Sequence, residues 1–256
     1  MNEMFCYQCQ EAMRSTGCNT PKGMCGKTAD VSNLQDLLIY LLKGISFWGT
    51  RARPMGVQDD ETDLFVAQAL FATITNANFD TDRFVAMIKK AIDLRDNLRA
   101  RAQTRCNELH NSNCTGGGPD WAGWHPENYE IETLLAKART VGVMGDPDLD
   151  PDVRSLRELI IYGLKGMAAY ADHAYLVGGR DESVLAFMQE ALEATTNNKL
   201  GVEELLAMVL KTGEYGIKAM ALLDSSNTSR YGNPEPTQVN LGVVPGPGIL
   251  VSGHDL

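Results

Sequence analysis

The segment DVSNLQDLLIYLLKG at 30–44 returns as DVRSLRELIIYGLKG at 152–166, with nine of fifteen positions identical at an offset of 122 residues. The same offset pairs Phe65, Ala69, Leu70, Ala72, Thr73 and Asn76 with Phe187, Ala191, Leu192, Ala194, Thr195 and Asn198. A slip of one residue then aligns Ala86, Met87 and Lys90 with Ala207, Met208 and Lys211. This period is far longer than the roughly 20–50 residues of a solenoid unit. It predicts two copies of one helical unit, each a three-helix bundle whose short connections make neighbouring helices antiparallel. In this reading Tyr40 and Tyr162 anchor bundle cores, and Gly44 and Gly166 let helices approach closely.

The apolar pattern supports helices inside each copy. Leu34, Leu37, Leu38, Leu41, Leu42 and Ile45 recur at helical spacing, with Trp48 on the same side and Asp30 or Ser32 as the expected N-cap. Further helices are predicted over 63–76 and 81–105, the latter burying Phe84, Met87, Ile88, Ile92 and Leu98. The stretch 106–128 is irregular, 130–140 is a short helix, and 145–151 is a linker. Beyond Asn227 the Pro-rich run Tyr231-Gly232-Asn233-Pro234-Glu235-Pro236 ends helix formation. Short strands are expected at 238–243 and from Gly248 onward. The predicted fold class is mainly α. A cysteine-rich loop (1–29) precedes two duplicated three-helix bundles (30–128 and 129–228). The first strands of a truncated α/β domain (229–256) follow.

Four of the six cysteines fall in the opening loop: Cys6, Cys9, Cys18 and Cys25, separated by two, eight and six residues. The formal net charge of −10 argues against nucleic acid as a partner. No basic amphipathic helix suggests a membrane surface, and the apolar run at 37–45 is too short to span a bilayer. No basic n-region and apolar h-region mark a secretory signal, so a cytoplasmic, reducing setting is expected. Clustered thiols in such a setting favour metal or redox chemistry over disulfides. Structural zinc usually takes two tight cysteine or histidine pairs, whereas one tight pair with wider gaps suits an iron–sulfur centre. On spacing, iron–sulfur is favoured, with zinc and with disulfides or free thiols as alternatives. Cys106, His110 and Cys114, with His125 beyond, could form a second metal site, but a frayed helix end carrying incidental soft residues is the plainer reading. His173 reads as a satisfied polar residue. His254, in Ser252-Gly253-His254-Asp255, follows an apolar strand-like run where a ligand or catalytic group belongs.

Several segments resemble the hybrid cluster proteins, also called prismane proteins or hydroxylamine reductases. They are Met4-Phe5-Cys6-Tyr7-Gln8-Cys9-Gln10-Glu11, Gly17-Cys18, Gly23-Met24-Cys25-Gly26-Lys27 and Leu34-Gln35-Asp36-Leu37-Leu38. Leu70-Phe71-Ala72-Thr73-Ile74-Thr75-Asn76-Ala77-Asn78, Tyr231-Gly232-Asn233-Pro234 and Ile249-Leu250-Val251-Ser252-Gly253-His254-Asp255-Leu256 extend the likeness over nearly the whole chain. The resemblance implies an N-terminal domain of two three-helix bundles. It implies a [4Fe-4S] cluster on Cys6, Cys9, Cys18 and Cys25, because the compact eight-residue middle gap goes with that cluster and a gap of eleven with [2Fe-2S].

It also implies a second, hybrid [4Fe-2O-2S] cluster ligated by one histidine, two glutamates and four cysteines, one of them persulfidated. That histidine maps onto His254; the other ligands lie downstream in relatives about twice this length. The chain is therefore expected to be the N-terminal part of a longer oxidoreductase. The whole protein would reduce a small N–O substrate, hydroxylamine to ammonia or nitric oxide, with electrons from an unidentified redox partner. Alone, the chain is expected to be inactive. A stand-alone iron–sulfur carrier or sensor, and a relative of the carbon monoxide dehydrogenases, are the rival expectations.

Overall fold

The computed structural model describes residues 4–250 apart from 10, 75, 76, 112, 113, 115, 116 and 239. Among the described residues, seven α-helices follow the opening loop: α1 Ala29–Ala52, α2 Asp60–Ala72, α3 Thr81–His110, α4 Ile131–Ala138, α5 Pro151–Leu176, α6 Glu182–Ala194 and α7 Val202–Tyr231. The chain is mainly helical, as the periodicity predicts. The helix boundaries carry the repeat: α2 and α6 are both 13 residues long, and α3 and α7 are both 30. Equivalent aspartates cap the second helices, Asp59 accepting from the Thr62 N–H and Asp181 from Ser183 and Val184. Equivalent buried threonines end them, Thr73 donating to the Leu70 carbonyl and Thr195 to that of Leu192, each at 2.7 Å.

Starts differ from expectation by a turn or less. Thr28, not Asp30 or Ser32, caps α1 by accepting from the Val31 N–H. Asp150 caps α5, so Pro151 is its first helical residue, where the missing N–H costs nothing. At the far end α7 runs on to Tyr231, and Gly232, at φ +83°, ends it.

The two copies do not stand apart. α1 packs on α3 and α5 on α7 within each copy, but α2 packs chiefly on α5 and α6 on α1. The middle helices are exchanged. One buried core therefore runs through both copies, from Leu34, Leu38, Leu41 and Ile45 to Leu164, Phe187 and Leu192. Gln189 of α6 reaches across to donate to Asp63 of α2 at 2.6 Å, and Arg53 pairs with the same carboxylate at 2.8 Å. Gly49 of α1 makes room for that glutamine, since a Cβ there would lie 1.8 Å from the Gln189 amide oxygen.

The repeated Tyr and Gly behave differently in the two copies. Tyr40 is buried and donates to Asp120, and a Cβ on Gly44 would fall 2.1 Å from the Trp121 carbonyl oxygen. Tyr162 is 49% exposed, and nothing lies within 4 Å of a Cβ on Gly166. The expected core roles hold for the first copy only.

No strand forms among the described residues, those of 238–243 included, where a strand was expected. A strand needs a neighbour to take its backbone hydrogen bonds, and the helices offer none. The second expected strand extends past 250, so it lies partly outside the described residues, and His254 wholly so.

Candidate metal centre

The cysteine loop is pinned by short backbone pairings. Cys6 and Cys18 exchange two antiparallel hydrogen bonds, N–H to carbonyl at 2.9 and 2.8 Å, which sets the first and third cysteines side by side. Lys22 pairs with Thr28 across a turn that carries Cys25; Gly23 donates to the Lys27 carbonyl at 2.8 Å, and Gly26 to that of Gly23 at 2.9 Å. Gly17 has φ +103°, and a Cβ there would strike the Phe5 ring at 2.6 Å, so both conformation and packing require glycine.

This loop brings all four predicted cysteines to one small cavity, which they line together with Met4, Gln8, Ala12, Gly23, Met24 and Lys27. None of the four is in a disulfide; Cys18 is buried and the others half-buried. Among the described residues, no three Cys, His, Asp or Glu side chains converge tightly enough to hold a single metal ion. Four thiols around a shared space are a donor set that a metal centre could use.

The electrostatics around the loop suit a negatively charged occupant. Lys27, 1% exposed, donates to the Gln35 amide oxygen at 2.6 Å and lies 3.8 Å from Cys6 Sγ. Lys165 of α5, 2% exposed, donates to the Gln8 amide oxygen and to the Thr73 carbonyl at 3.4 Å. Among the described residues neither ammonium has a carboxylate at ion-pair distance, although a buried charge is costly without a counter-charge. Burial pushes the Cys6 thiol up, while Lys27, the Gln8 N–H and Lys165 oppose that rise. Thiolates bound to metal would supply the missing negative charge.

Neither lysine, nor Gln8, Gln35 or Asp36, was singled out by sequence reasoning as part of the site. The sequence does carry a signal for Lys165, which sits in the repeated Leu-Lys-Gly.

The other sequence candidates resolve differently. Cys106 and Cys114 form a disulfide, where the sequence suggested a second metal site or incidental soft residues at a frayed helix end. Their Cα atoms lie 6.0 Å apart, and the Asn107 side chain accepts from the Cys114 N–H at 2.5 Å, which ties the same two regions together. His125 meets Asp96 at 2.9 Å and Arg95 at 3.1 Å, apart from those thiols, so the second metal site does not assemble. His173 packs edge-on to Phe71 at 5.3 Å.

A sequence model for the Prismane/CO dehydrogenase family matches residues 4–256. The chain is 53% identical over 253 residues to the hydroxylamine reductase of Halothermothrix orenii, covering 99% of this chain and 45% of that protein. It is 48% identical to the hydroxylamine reductase of Petrotoga mobilis, covering 99% of this chain and 46% of that protein. It is 51% identical to that of Desulfitobacterium hafniense (strain DSM 10664 / DCB-2), covering 99% of this chain and 44% of that protein. The chain spans about half the length of the curated relatives it matches.

Proposed function

This chain belongs to the Prismane/CO dehydrogenase family, and from that premise we propose that its opening loop carries the [4Fe-4S] centre of a hydroxylamine reductase-type oxidoreductase. Cys6, Cys9, Cys18 and Cys25 would be the ligands. The observation that carries this reading is their convergence, unoxidised, on one cavity beside a buried Lys27 that has no carboxylate partner among the described residues. Bound there, the centre supplies one-electron transfer.

The chain's own residues do the rest. Lys27 and Lys165 offset the negative charge of four thiolates. The Gln8 N–H points its dipole toward the Cys6 sulfur, which favours the thiolate. Met4 and Ala12, both buried, keep water from the thiols. The Lys165–Gln8 hydrogen bond ties the loop to α5, so the thiols are held against the exchanged core and not on a free tail.

In the whole protein, electrons from a redox partner would pass through this loop to a hybrid [4Fe-2O-2S] cluster, with His254 among its ligands. Hydroxylamine would be reduced there to ammonia with two electrons and two protons, or nitric oxide would be reduced. The 256-residue chain alone lacks the other ligands of that cluster and is expected to show no hydroxylamine turnover. Among the described residues, no helix is long and apolar enough to cross a membrane.

Anaerobic reconstitution followed by iron and sulfide assay, with EPR of the reduced protein, tests the reading. Iron and acid-labile sulfide in equal amounts are expected, together with a reduced-state signal. Cys→Ser at position 6, 9, 18 or 25 should abolish or alter that signal. Zinc without sulfide, or full loading after two such substitutions, would overturn the assignment.

A further inference from the structure

A second cavity, about 270 Å³ and open to solvent, lies between α1, α5 and the 140–149 segment. Gln8 lines both this cavity and the one that the four cysteines share. Asp36 and Lys43 reach the second cavity from α1, Arg154, Arg157 and Glu158 from α5, and Asp146 from the connecting loop. The two arginines are already engaged: Arg154 donates to the Asp146 and Leu149 carbonyls, and Arg157 to the carbonyl of Asn197 and the side chain of Asn198.

Asp36 is not engaged in this way. Among the described residues its carboxyl has no hydrogen-bond or ion-pair partner. The charges facing it are Glu158 and Lys165 on α5, Lys27 at the end of the cysteine loop and Lys43 on α1. Burial first, and then Glu158, push its pKa up to about 7. Lys27, Lys165 and Asp36 itself all act on the Cys6 sulfur. One carboxyl thus opens to water on one side and feels the charge of the thiol site on the other.

We propose that Asp36 takes up a proton from the solvent-open cavity when the cysteine centre gains an electron. The inference rests on the iron–sulfur reading above. One electron from a one-electron donor, dithionite or an electrode in vitro, enters the centre. One proton moves from cavity water to an Asp36 oxygen. No bond in the centre is made or broken. The driving force is electrostatic: an added negative charge in a weakly screened interior raises the proton affinity of a neighbouring carboxyl. Lys27 and Lys165 balance the standing charge of the thiolates, and Asp36 balances the charge that comes and goes.

The test is an EPR-monitored redox titration of the reconstituted chain at a series of pH values from 5.5 to 9, with reduced-minus-oxidised infrared spectra. The wild-type potential should fall through the neutral range with a slope approaching a tenfold change in the reduction equilibrium per pH unit, about 59 mV for one electron. A protonated-carboxyl band should grow on reduction. Asp36→Asn should flatten the slope and remove the band while keeping the iron content. Glu158→Gln, which deletes a neighbouring negative charge, should move the bend to lower pH.

A pH-independent wild-type potential, or an Asp36→Asn chain that keeps the slope, overturns the proposal. If Asp36→Asn fails to load iron, the Glu158→Gln bend decides, and an unmoved bend overturns it. A wild-type chain that binds no iron–sulfur centre removes both this inference and the reading it rests on. A loaded chain with a flat profile removes this inference alone.

Discussion

Gly44 and Gly166 occupy equivalent positions of the repeat, yet alanine should act on them in opposite directions. In a helix interior, replacing Gly by Ala gains roughly 0.5–1 kcal/mol by restricting the unfolded chain. At Gly166 nothing lies within 4 Å of the new methyl, so that gain should be realised nearly in full. At Gly44 the methyl would sit 2.1 Å from the Trp121 carbonyl oxygen and 3.1 Å from Cδ of Arg95. Neither neighbour yields readily. The carbonyl belongs to the turn that accepts from Trp48 Nε1 at 2.9 Å through Ala122 and holds Tyr40 through Asp120. Arg95 is fully buried, with its guanidinium on the Trp124 carbonyl at 2.8 Å. Overpacking costs about 1–3 kcal/mol, and a strained buried hydrogen bond adds about 1–3 kcal/mol. After subtracting the propensity gain, Gly44→Ala should destabilise by about 1–5 kcal/mol. Urea unfolding of both variants in the same cluster-loading state measures this through midpoints at unchanged slope. In thermal melts the two variants should lie roughly 10 °C apart, at about 2–4 °C per kcal/mol for a chain of this size. Shifts of the same sign, or both within about 0.5 kcal/mol of wild type, would refute the packing argument.

Two further outcomes follow from buried groups and the disulfide. The folded Asp36 keeps its proton to about 7 against an ordinary 3.8, so the folded state holds the extra proton in that window and stability falls as pH rises through it. Lys165, pushed by burial down to about 8 from 10.5, reverses the sign: the unfolded state holds the extra proton there, and stability recovers as pH rises from 8. The pair should give a shallow stability minimum between about pH 7 and 8, and Asp36→Asn should erase its acidic limb; an unchanged limb would contradict the assignment. The Cys106–Cys114 bond spans eight residues, and loop-closure entropy allows it up to roughly 2.5 kcal/mol. Replacing both by serine should lower the urea midpoint, and alkylation of the unfolded cluster-free chain without reductant should label four thiols; six labelled thiols would show the bond absent.

The helices were legible because their signal is local. Leu34, Leu37, Leu38, Leu41, Leu42 and Ile45 are all fully buried, as their spacing predicts. The four cysteines were legible for the same reason, lying within twenty residues. What was not legible depends on contacts between distant segments. Lys27 and Lys165 look like ordinary polar positions and become buried only because α5 and the loop close over them. The broken symmetry of Tyr40 and Tyr162 has a similar cause. After α3 the first copy continues into a segment whose Asp120 and Trp121 fold back on α1, and the described second copy has no counterpart. Identical residues in two copies thus acquired different surroundings from a segment outside the repeat.

The crossed placement of α2 on α5 and α6 on α1 has an ancestral corollary. A polypeptide with one copy could not cover its own first helix and would have to borrow the missing helix from a second molecule. Such an exchange is what an end-to-end fusion of the two partners of an intertwined homodimer would leave. Residues 29–145 made on their own should pair at micromolar concentration, with folding that depends on concentration. A compact, stably folded monomer in sedimentation would rule out that descent.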